Sequence, residues 1–195
     1  MTKKKKKSFL SSGLWTNVLR GDASGDDLYD AIQAIPPFHS LTRKETLELL
    51  EMTHHRRFKA GEYVFYQDDP GLGLYVIREG EIEIEIETPS GRSLILAALG
   101  PSDFFGELAL LEGETRTASA RARREALTAV IFKPDLEEFI RRHPKTGVSI
   151  LDGFLKIVIA RLRALDQDYI KLYDTAVSDR EIVHETRVSK NITPY

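Results

Sequence analysis

The stretch EIEIEIETPSGRSLILAAL, residues 81–99, is the clearest indication of the fold in this sequence. Isoleucine and glutamate alternate over its first part, and an alternation with a period of two is typical of a β-strand with one buried face. Ile82, Ile84 and Ile86 therefore share a core-facing side, and we expect the glutamates to face water. A Pro-Ser-Gly turn then leads into a second apolar run, so the stretch predicts two neighbouring antiparallel strands.

Further strand-like segments lie on both sides of this stretch. They are short, rich in Val, Ile, Tyr and Phe, and separated by turn clusters such as Asp-Asp-Pro-Gly and Glu-Gly. These segments are EYVFYQ (62–67), GLYVIREG (73–80) and TAVIF (128–132). We therefore predict a compact antiparallel β-roll, jelly-roll-like, over residues 61–133.

Helical patterns flank the β-roll. Residues 26–60 contain two short helices, DDLYDAIQAI, which a Pro-Pro pair ends, and TRKETLELLEM, which follows a Ser/Thr cap. Pro134 is well placed to open another short helix after the strands. The predicted fold class is therefore α+β, with C-terminal helices over residues 134–176 and one domain over residues 21–176.

The longest periodic stretch begins after Pro144. Apolar residues recur there with alternating spacings of four and three, which is the heptad pattern of a helix that packs along another helix. The heptad positions are Leu151, Leu155, Val158, Leu162, Leu165, Tyr169 and Leu172. They form either a stripe that packs on the protein's own core or a homodimer seam, which we favour because a compact β-roll has limited surface to cover them. Residues 177–195 are polar and are predicted to be a tail.

The composition is that of an ordinary globular protein, with 42% hydrophobic and 30% charged residues in a chain of 195. The absence of cysteine removes disulfides and thiolate metal sites and suits a reducing compartment, so we expect a cytoplasmic protein. The longest apolar run, Leu94–Leu99, is far shorter than the roughly 20 residues that a membrane-spanning helix requires.

A basic and amphipathic extension occupies residues 1–20. Its five lysines, Lys3–Lys7, carry +5 of a net charge of −2, so the rest of the chain totals −7 and would not attract nucleic acid. The stretch FLSSGLWTNVLR behind the lysines would allow contact with an anionic membrane surface. The simpler interpretation is a solvated tail and a short helix that packs on this protein or on a partner.

A second decisive stretch is FFGELALLEGETRTASARA, residues 104–122, in which Arg116 stands among small residues. A phosphodiester enclosed in protein is held by a bidentate cation, by amides at a helix start and by small side chains that allow close approach. GELALL can form one helical turn whose first amides, from Leu108 and Ala109, need partners. The stretch therefore predicts an anion site.

Glu107 requires a separate explanation, because a carboxylate repels phosphate. A ribose 2′-OH can donate to a carboxylate that stands several ångströms from the phosphate. Together, Arg116 and Glu107 therefore indicate a ribose phosphate whose 2′-OH is free.

Residues 104–122 resemble the phosphate-binding cassette of the cyclic nucleotide-binding domain family. The stretch GEYVFYQDDPGLGLYVIREGEIEIEI is similar to the opening strands of that family, and helix, strands, helix and long helix follow one another in the family's order. The resemblance covers roughly residues 36–176. It implies a regulatory domain that has no DNA-binding unit of its own, because the few residues after Ala176 are too short for a helix-turn-helix.

The resemblance implies roles for individual residues. The cyclic nucleotide would be bound by Gly106, Glu107, Leu108, Ala109, Arg116, Thr117 and Ala118. Arg116 would pair with the cyclic phosphate, and Glu107 would accept from the ribose 2′-OH. The residues expected around the base are Ile84, Leu96, Arg161 and Asp166. Arg161 is also expected to pair with Glu107, and a solvated helix position is the alternative for Asp166.

Three residues depart from the family's pattern. Thr115 stands where proline usually precedes the cassette arginine, and Asp68 and Ser102 stand where glycine is common. These positions shape the backbone and do not contact the ligand, so we expect binding to be retained.

We therefore expect a sensor of cAMP or cGMP, with cAMP favoured, that transmits occupancy through its C-terminal helix to an unidentified partner protein. No nucleophile and base pair, Walker loop or metal-ligand spacing is present, so we predict no enzyme, no catalytic residue, no cofactor and no metal. The alternative is a fold that has lost its ligand and acts as a protein interaction module. In that case Glu107 would cap a turn and Arg116 would form an internal ion pair.

Overall fold

The computed structural model describes residues 28–108, 110 and 115–189, with side chains up to residue 175 and that of Val177. The predicted extension at residues 1–20 lies outside the described residues, and so does Ala109. The β-roll and its flanking helices are therefore described almost completely.

Two short helices precede the strands, as predicted. They are α1, Leu28–Ala34, and α2, Arg43–Glu51. A reciprocal cap starts α2, because the Thr42 amide donates to a Glu45 carboxylate oxygen at 2.8 Å and the Glu45 amide donates back to the Thr42 hydroxyl at 3.4 Å. The Ser/Thr cap expected from the sequence is thus present.

In the described part of the chain, eight strands form two four-stranded antiparallel sheets, which confirms the predicted β-roll. One sheet has the order β1-β8-β3-β6 and the other β2-β7-β4-β5. The strands are β1 His54–Phe58, β2 Tyr63–Phe65, β3 Gly73–Glu79, β4 Ile82–Glu87, β5 Ser93–Leu99, β6 Phe104–Phe105, β7 Ser119–Ala122 and β8 Ala126–Phe132.

Strand β1 corrects the prediction that helical structure extends to residue 60. His54 pairs with Val130, and Phe58 pairs with Ala126 at the other end of β8. Four of the five β1 residues are exposed at the edge of the sheet. An exposed edge strand of this kind has no alternation of apolar and polar residues, so the sequence pattern does not predict it. It forms because it pairs with β8.

The register of β4 agrees with the alternation in the sequence. Ile82 and Ile84 are buried, and Ile84 lies opposite Ala97 of β5. A register shift follows Ile84, and Ile86 beyond it is only half-buried.

The glutamate side of β4 does not simply face water. Glu83 is 9% exposed. Its carboxylate lies 3.3 Å from Nη2 of Arg121 and 3.5 Å from Nε of Arg123. Arg121 also approaches Glu85 at 3.8 Å. A ladder of ion pairs therefore covers the outer surface of this sheet.

The core has two parts that share strand β3. Leu74 and Val76 face the helices, where they pack with Phe38, Phe139 and other buried residues. Ile77, on the opposite side of the strand, faces the inside of the roll. The helices therefore pack on the outside of the same sheet whose inner face lines the roll.

Two helices follow the strands, namely α3, Lys133–Arg142, and α4, Pro144–Ser189. The buried ring of Phe154 packs edge-on against Phe38 at 6.1 Å, which fixes the start of α4 on the N-terminal helices. The helix continues past residue 176, where the sequence analysis ended it. No glycine or proline occurs between Gly153 and Pro194, so nothing in the backbone ends the helix earlier.

The heptad positions of α4 are not covered by the described part of the chain. All except the half-buried Val158 are exposed, from 49% at Leu172 to 68% at Tyr169. Within the described residues, α4 therefore does not form an intramolecular core stripe. None of the described helices is both long and apolar enough to cross a membrane.

Candidate functional site

Arg116 lies just before β7 with its side chain inside the roll, and it is only 3% exposed. Its Nη1 donates to the Gly106 carbonyl at 2.9 Å, and its Nη2 donates to the Gly73 carbonyl at 3.0 Å. The guanidinium carbon also lies 4.0 Å from the centre of the Phe65 ring. The buried Nε atom has no hydrogen-bond partner.

Gly106 is required where the Arg116 guanidinium meets the backbone. Its φ is +81°, a left-handed conformation that side chains disfavour, and a Cβ atom there would lie 2.7 Å from Nη1 of Arg116. The glycine in the FFGE sequence therefore makes room for the guanidinium.

Glu107 is the second buried charge of the site, with 1% exposure. One carboxylate oxygen, Oε1, accepts from Nη1 of Arg161 on α4, so the expected pair between these residues is present. The other oxygen, Oε2, is buried and has no hydrogen-bond partner. One carboxylate thus connects the cassette to the long helix and keeps one acceptor unused.

Burial affects the pKa of the Arg116 guanidinium more than the neighbouring residues do. Desolvation lowers the pKa of Arg116, while Tyr75 and then Glu107 act to raise it. An arginine side chain nevertheless stays protonated in proteins, so the site retains a positive charge that water does not solvate.

A cavity open to solvent lies between the two charges, with about 340 Å³ of space when its open side is included. It is lined by Phe65, Ile84, Phe105, Gly106, Glu107, Leu108, Arg116, Thr117 and Ala118. Its lining combines apolar walls with a few polar groups, which is typical of small-molecule sites. The arrangement can hold an anion at Arg116 and a hydroxyl donor at Glu107.

The cavity brings together every predicted cassette residue that the structure describes, together with Ile84. Leu96, Arg161 and Asp166 are not among the lining residues, although Arg161 contacts the site through Glu107. Ile84 pairs with Ala97, and the register shift that follows skips Leu96. Leu96 is therefore half-buried against the core of the roll. Asp166 is exposed, since five residues beyond Arg161 correspond to a turn of about 140° around α4.

The aromatic side chains of the cavity were not predicted from the sequence. Phe65 and Phe105 line it, and the Gly73 carbonyl holds Arg116 from β3. Phe105 directly precedes Gly106 in the cassette, which is a signal that could have been used. Phe65 has only its position in an alternating strand to mark it.

The chain is similar in sequence to known proteins. The sequence pattern of the cyclic nucleotide-binding domain matches residues 55–143. The chain is 32% identical over 131 residues to the cyclic AMP receptor protein of Thermus thermophilus, covering 67% of this chain and 59% of that protein. It is 34% identical over 114 residues to a cAMP-dependent protein kinase regulatory subunit of Emericella nidulans, covering 58% of this chain and 27% of that protein.

Among solved structures, the crystal structure of the N-terminal domain of a transcriptional regulator from Streptomyces coelicolor superposes with a TM-score of 0.61 at 30% identity. That match covers 71% of this chain and 93% of the domain. The curated relatives are longer, since the chain spans 59% and 27% of the two named above. The chain belongs to the cyclic nucleotide-binding domain family.

Proposed function

We propose that this protein is a cyclic-nucleotide sensor that binds one nucleotide in the cavity between Arg116 and Glu107. One observation carries the proposal. Among the described residues, the buried side-chain polar atoms without a hydrogen-bond partner are Nε of Arg116 and Oε2 of Glu107. They are a donor and an acceptor on one cavity, and buried polar groups of this kind are normally satisfied.

A cyclic nucleotide satisfies both atoms. The phosphate would accept from Arg116, with support from the Thr117 hydroxyl and the Ala118 and Leu108 amides, because a planar guanidinium pairs well with phosphate oxygens. The ribose 2′-OH would donate to Oε2 of Glu107. The base would then lie toward the apolar wall that includes Ile84.

The nucleotide we favour is cAMP. The names of the two curated relatives refer to cAMP. Apart from Glu107 and Arg116, the residues that line the cavity carry no charge that would select one purine. Competition between cAMP and cGMP for the same site decides the preference.

Occupancy would reach the rest of the molecule through α4. A ligand hydroxyl at Oε2 changes how strongly Oε1 holds Arg161, and Arg161 is part of α4. The ligand therefore favours one placement of α4 over another, with a coupling free energy of about 1–3 kcal/mol. We propose that the exposed heptad positions of α4 pair with a second copy and present this change to a downstream protein.

Titration with fluorescent cAMP and cGMP tests the proposal. Wild-type protein should bind with a micromolar or lower Kd, and Arg116→Ala should weaken binding by about 30-fold or more. Arg121→Ala is the matched control, since Arg121 follows on β7 and pairs with Glu83 on the outer surface. Its affinity should equal that of the wild type.

Two results would count against the sensor. Negligible binding by both wild type and Arg116→Ala would favour the alternative, in which the fold acts as an interaction module without a ligand. Equal losses in Arg116→Ala and Arg121→Ala would show that the effect is one of general stability.

A further inference from the structure

Arg116 and Glu107 are opposite buried charges that face the same cavity. Each of them is nevertheless held by other partners and not by its counterpart. Glu107 pairs with Arg161, and Arg116 donates to two backbone carbonyls. A guanidinium and a carboxylate attract each other strongly where water is excluded, and Glu107 does act to raise the pKa of Arg116. Direct pairing between them would neutralise the site and fill the space that a nucleotide needs.

Phe65 provides an alternative partner for the cation. The guanidinium carbon lies 4.0 Å from the ring centre, well inside the distance at which an aromatic face attracts a cation. The ring itself is fixed, because it packs against the rings of Tyr75 at 5.7 Å and Phe105 at 5.9 Å. The register shift between Tyr63 and Phe65 sets this part of β2 against β7.

An aromatic face and a carboxylate differ in how they affect the charge and the N–H donors of a bound cation. It stabilises a cation without accepting its N–H donors and without cancelling its charge. The two carbonyls use one N–H of Nη1 and one of Nη2, and Nε remains without a partner. Arg116 therefore keeps its charge and its unpartnered Nε–H for an anion.

We propose that Phe65 is a positioning residue that keeps Arg116 apart from Glu107 and ready for the phosphate. The proposal rests on the function proposed above. Without the ring, we expect the guanidinium to turn toward the carboxylates of Glu107 and Asp69, which already attract it. The nucleotide must then break an ion pair before it binds.

Phe65→Leu tests this inference by removing the ring while keeping an apolar side chain. We expect cAMP to bind about 10-fold more weakly, as the loss of one desolvated cation–π contact implies. Phe65→Tyr keeps the ring face and should bind within about 2-fold of wild type. Phe65→Leu with wild-type affinity overturns the proposal.

A double-mutant cycle separates positioning from ordinary packing. Glu107→Gln removes the competing charge, so its effect on affinity should be clearly smaller in a Phe65→Leu background than in the wild type. Phe105→Leu is the matched control, because Phe105 also lines the cavity and contacts Phe65, and its loss should add to that of Glu107→Gln. Additive losses for Phe65→Leu as well would overturn the proposal.

A measurement on the free protein keeps this inference distinct from the proposed function. The Arg116 Nε–H proton resonance, assigned with Arg116→Lys, should be shifted upfield by the Phe65 ring and should move downfield in Phe65→Leu. An unchanged resonance overturns the inference. Wild-type protein that binds neither nucleotide overturns the proposed function instead, and the resonance then decides alone about the placement of Arg116.

Discussion

Individual residues of this site serve two purposes at once. Gly106 adopts a backbone conformation that only glycine adopts easily, and the missing side chain is also where the Arg116 guanidinium lies. Among the described residues, the non-glycine residues with positive φ are Asp68 and Ser102, both at 68°, and they occupy positions where the family often has glycine. Two of the three departures noted in the sequence therefore fall where the backbone takes a conformation that favours glycine.

Gly106→Ala should lower both affinity and stability. The new Cβ atom would lie 2.7 Å from Nη1 of Arg116 and 3.0 Å from the Gly73 carbonyl, so the guanidinium must move. We expect at least a 10-fold loss of cAMP affinity and a loss of about 1–3 kcal/mol in the free energy of unfolding, measured by nucleotide titration and urea denaturation.

The control for this variant is Gly91→Ala. Gly91 also has a positive φ, +73°, but nothing lies within 4 Å of a Cβ atom there. Gly91→Ala should lower the free energy of unfolding by only about 1–2 kcal/mol through backbone strain, and its cAMP affinity should be unchanged. A Gly106→Ala protein that binds as tightly as Gly91→Ala would refute the steric argument.

Elements differ in how well the sequence predicts them. Strand β4 has one buried face, and the alternation of its isoleucines predicts it. The edge strand β1 has four exposed residues and no such signal. Leu96 lies next to a register shift, which depends on the partner strand, and the packing of Phe65 on Arg116 depends on a contact across 51 residues of sequence. Local patterns predict elements, whereas contacts between distant segments follow only from the fold.

The proposed dimer seam of helix α4 can be tested by mutation. A second copy would bury its heptad positions, so Leu162→Glu, in the middle of the seam, should convert a dimer into a monomer at micromolar concentration. Size-exclusion chromatography with light scattering measures the mass. Arg163→Glu, an exposed neighbour outside the heptad positions, is the control and should remain a dimer.

A monomeric wild-type protein under the same conditions would contradict the seam. The nucleotide titration of Leu162→Glu would then show whether α4 influences binding within a single chain.

Over the whole molecule, Glu45 links the N-terminal helices to α4. One oxygen of its carboxylate caps α2 through Thr42, and the other accepts from the Thr146 hydroxyl at the start of α4. The hydrogen bond from Thr146, and then those from Thr42, lower the pKa of Glu45 from its ordinary value of 4.5. The ionised form is therefore part of what holds α4 against α2.

The sign of the pH effect follows from this shift. Because the pKa of Glu45 is lower in the folded state, its carboxylate stabilises the fold above the ordinary pKa, and this contribution is lost as the pH falls through the folded value. The free energy of unfolding should therefore decrease as the pH falls through and below 4.5, and less steeply in Glu45→Ala.

Urea denaturation across this range provides the measurement. Glu51→Ala, an exposed position on the same helix, is the control and should keep the acid dependence of the wild type. Identical slopes for wild type and Glu45→Ala would show that the contact between α2 and α4 does not depend on this carboxylate.

The contact between Gly153 and the Pro36-Pro37 turn has a mechanical consequence. A Cβ atom at residue 153 would lie 2.4 Å from the Pro37 Cα, so backbone touches backbone and α4 cannot slide at this point. Beyond it the helix runs to Ser189, a length of about 54 Å. Gly153 thus acts as a pivot and the rest of α4 as a lever arm, on which a tilt of about 5° displaces the far end by about 5 Å.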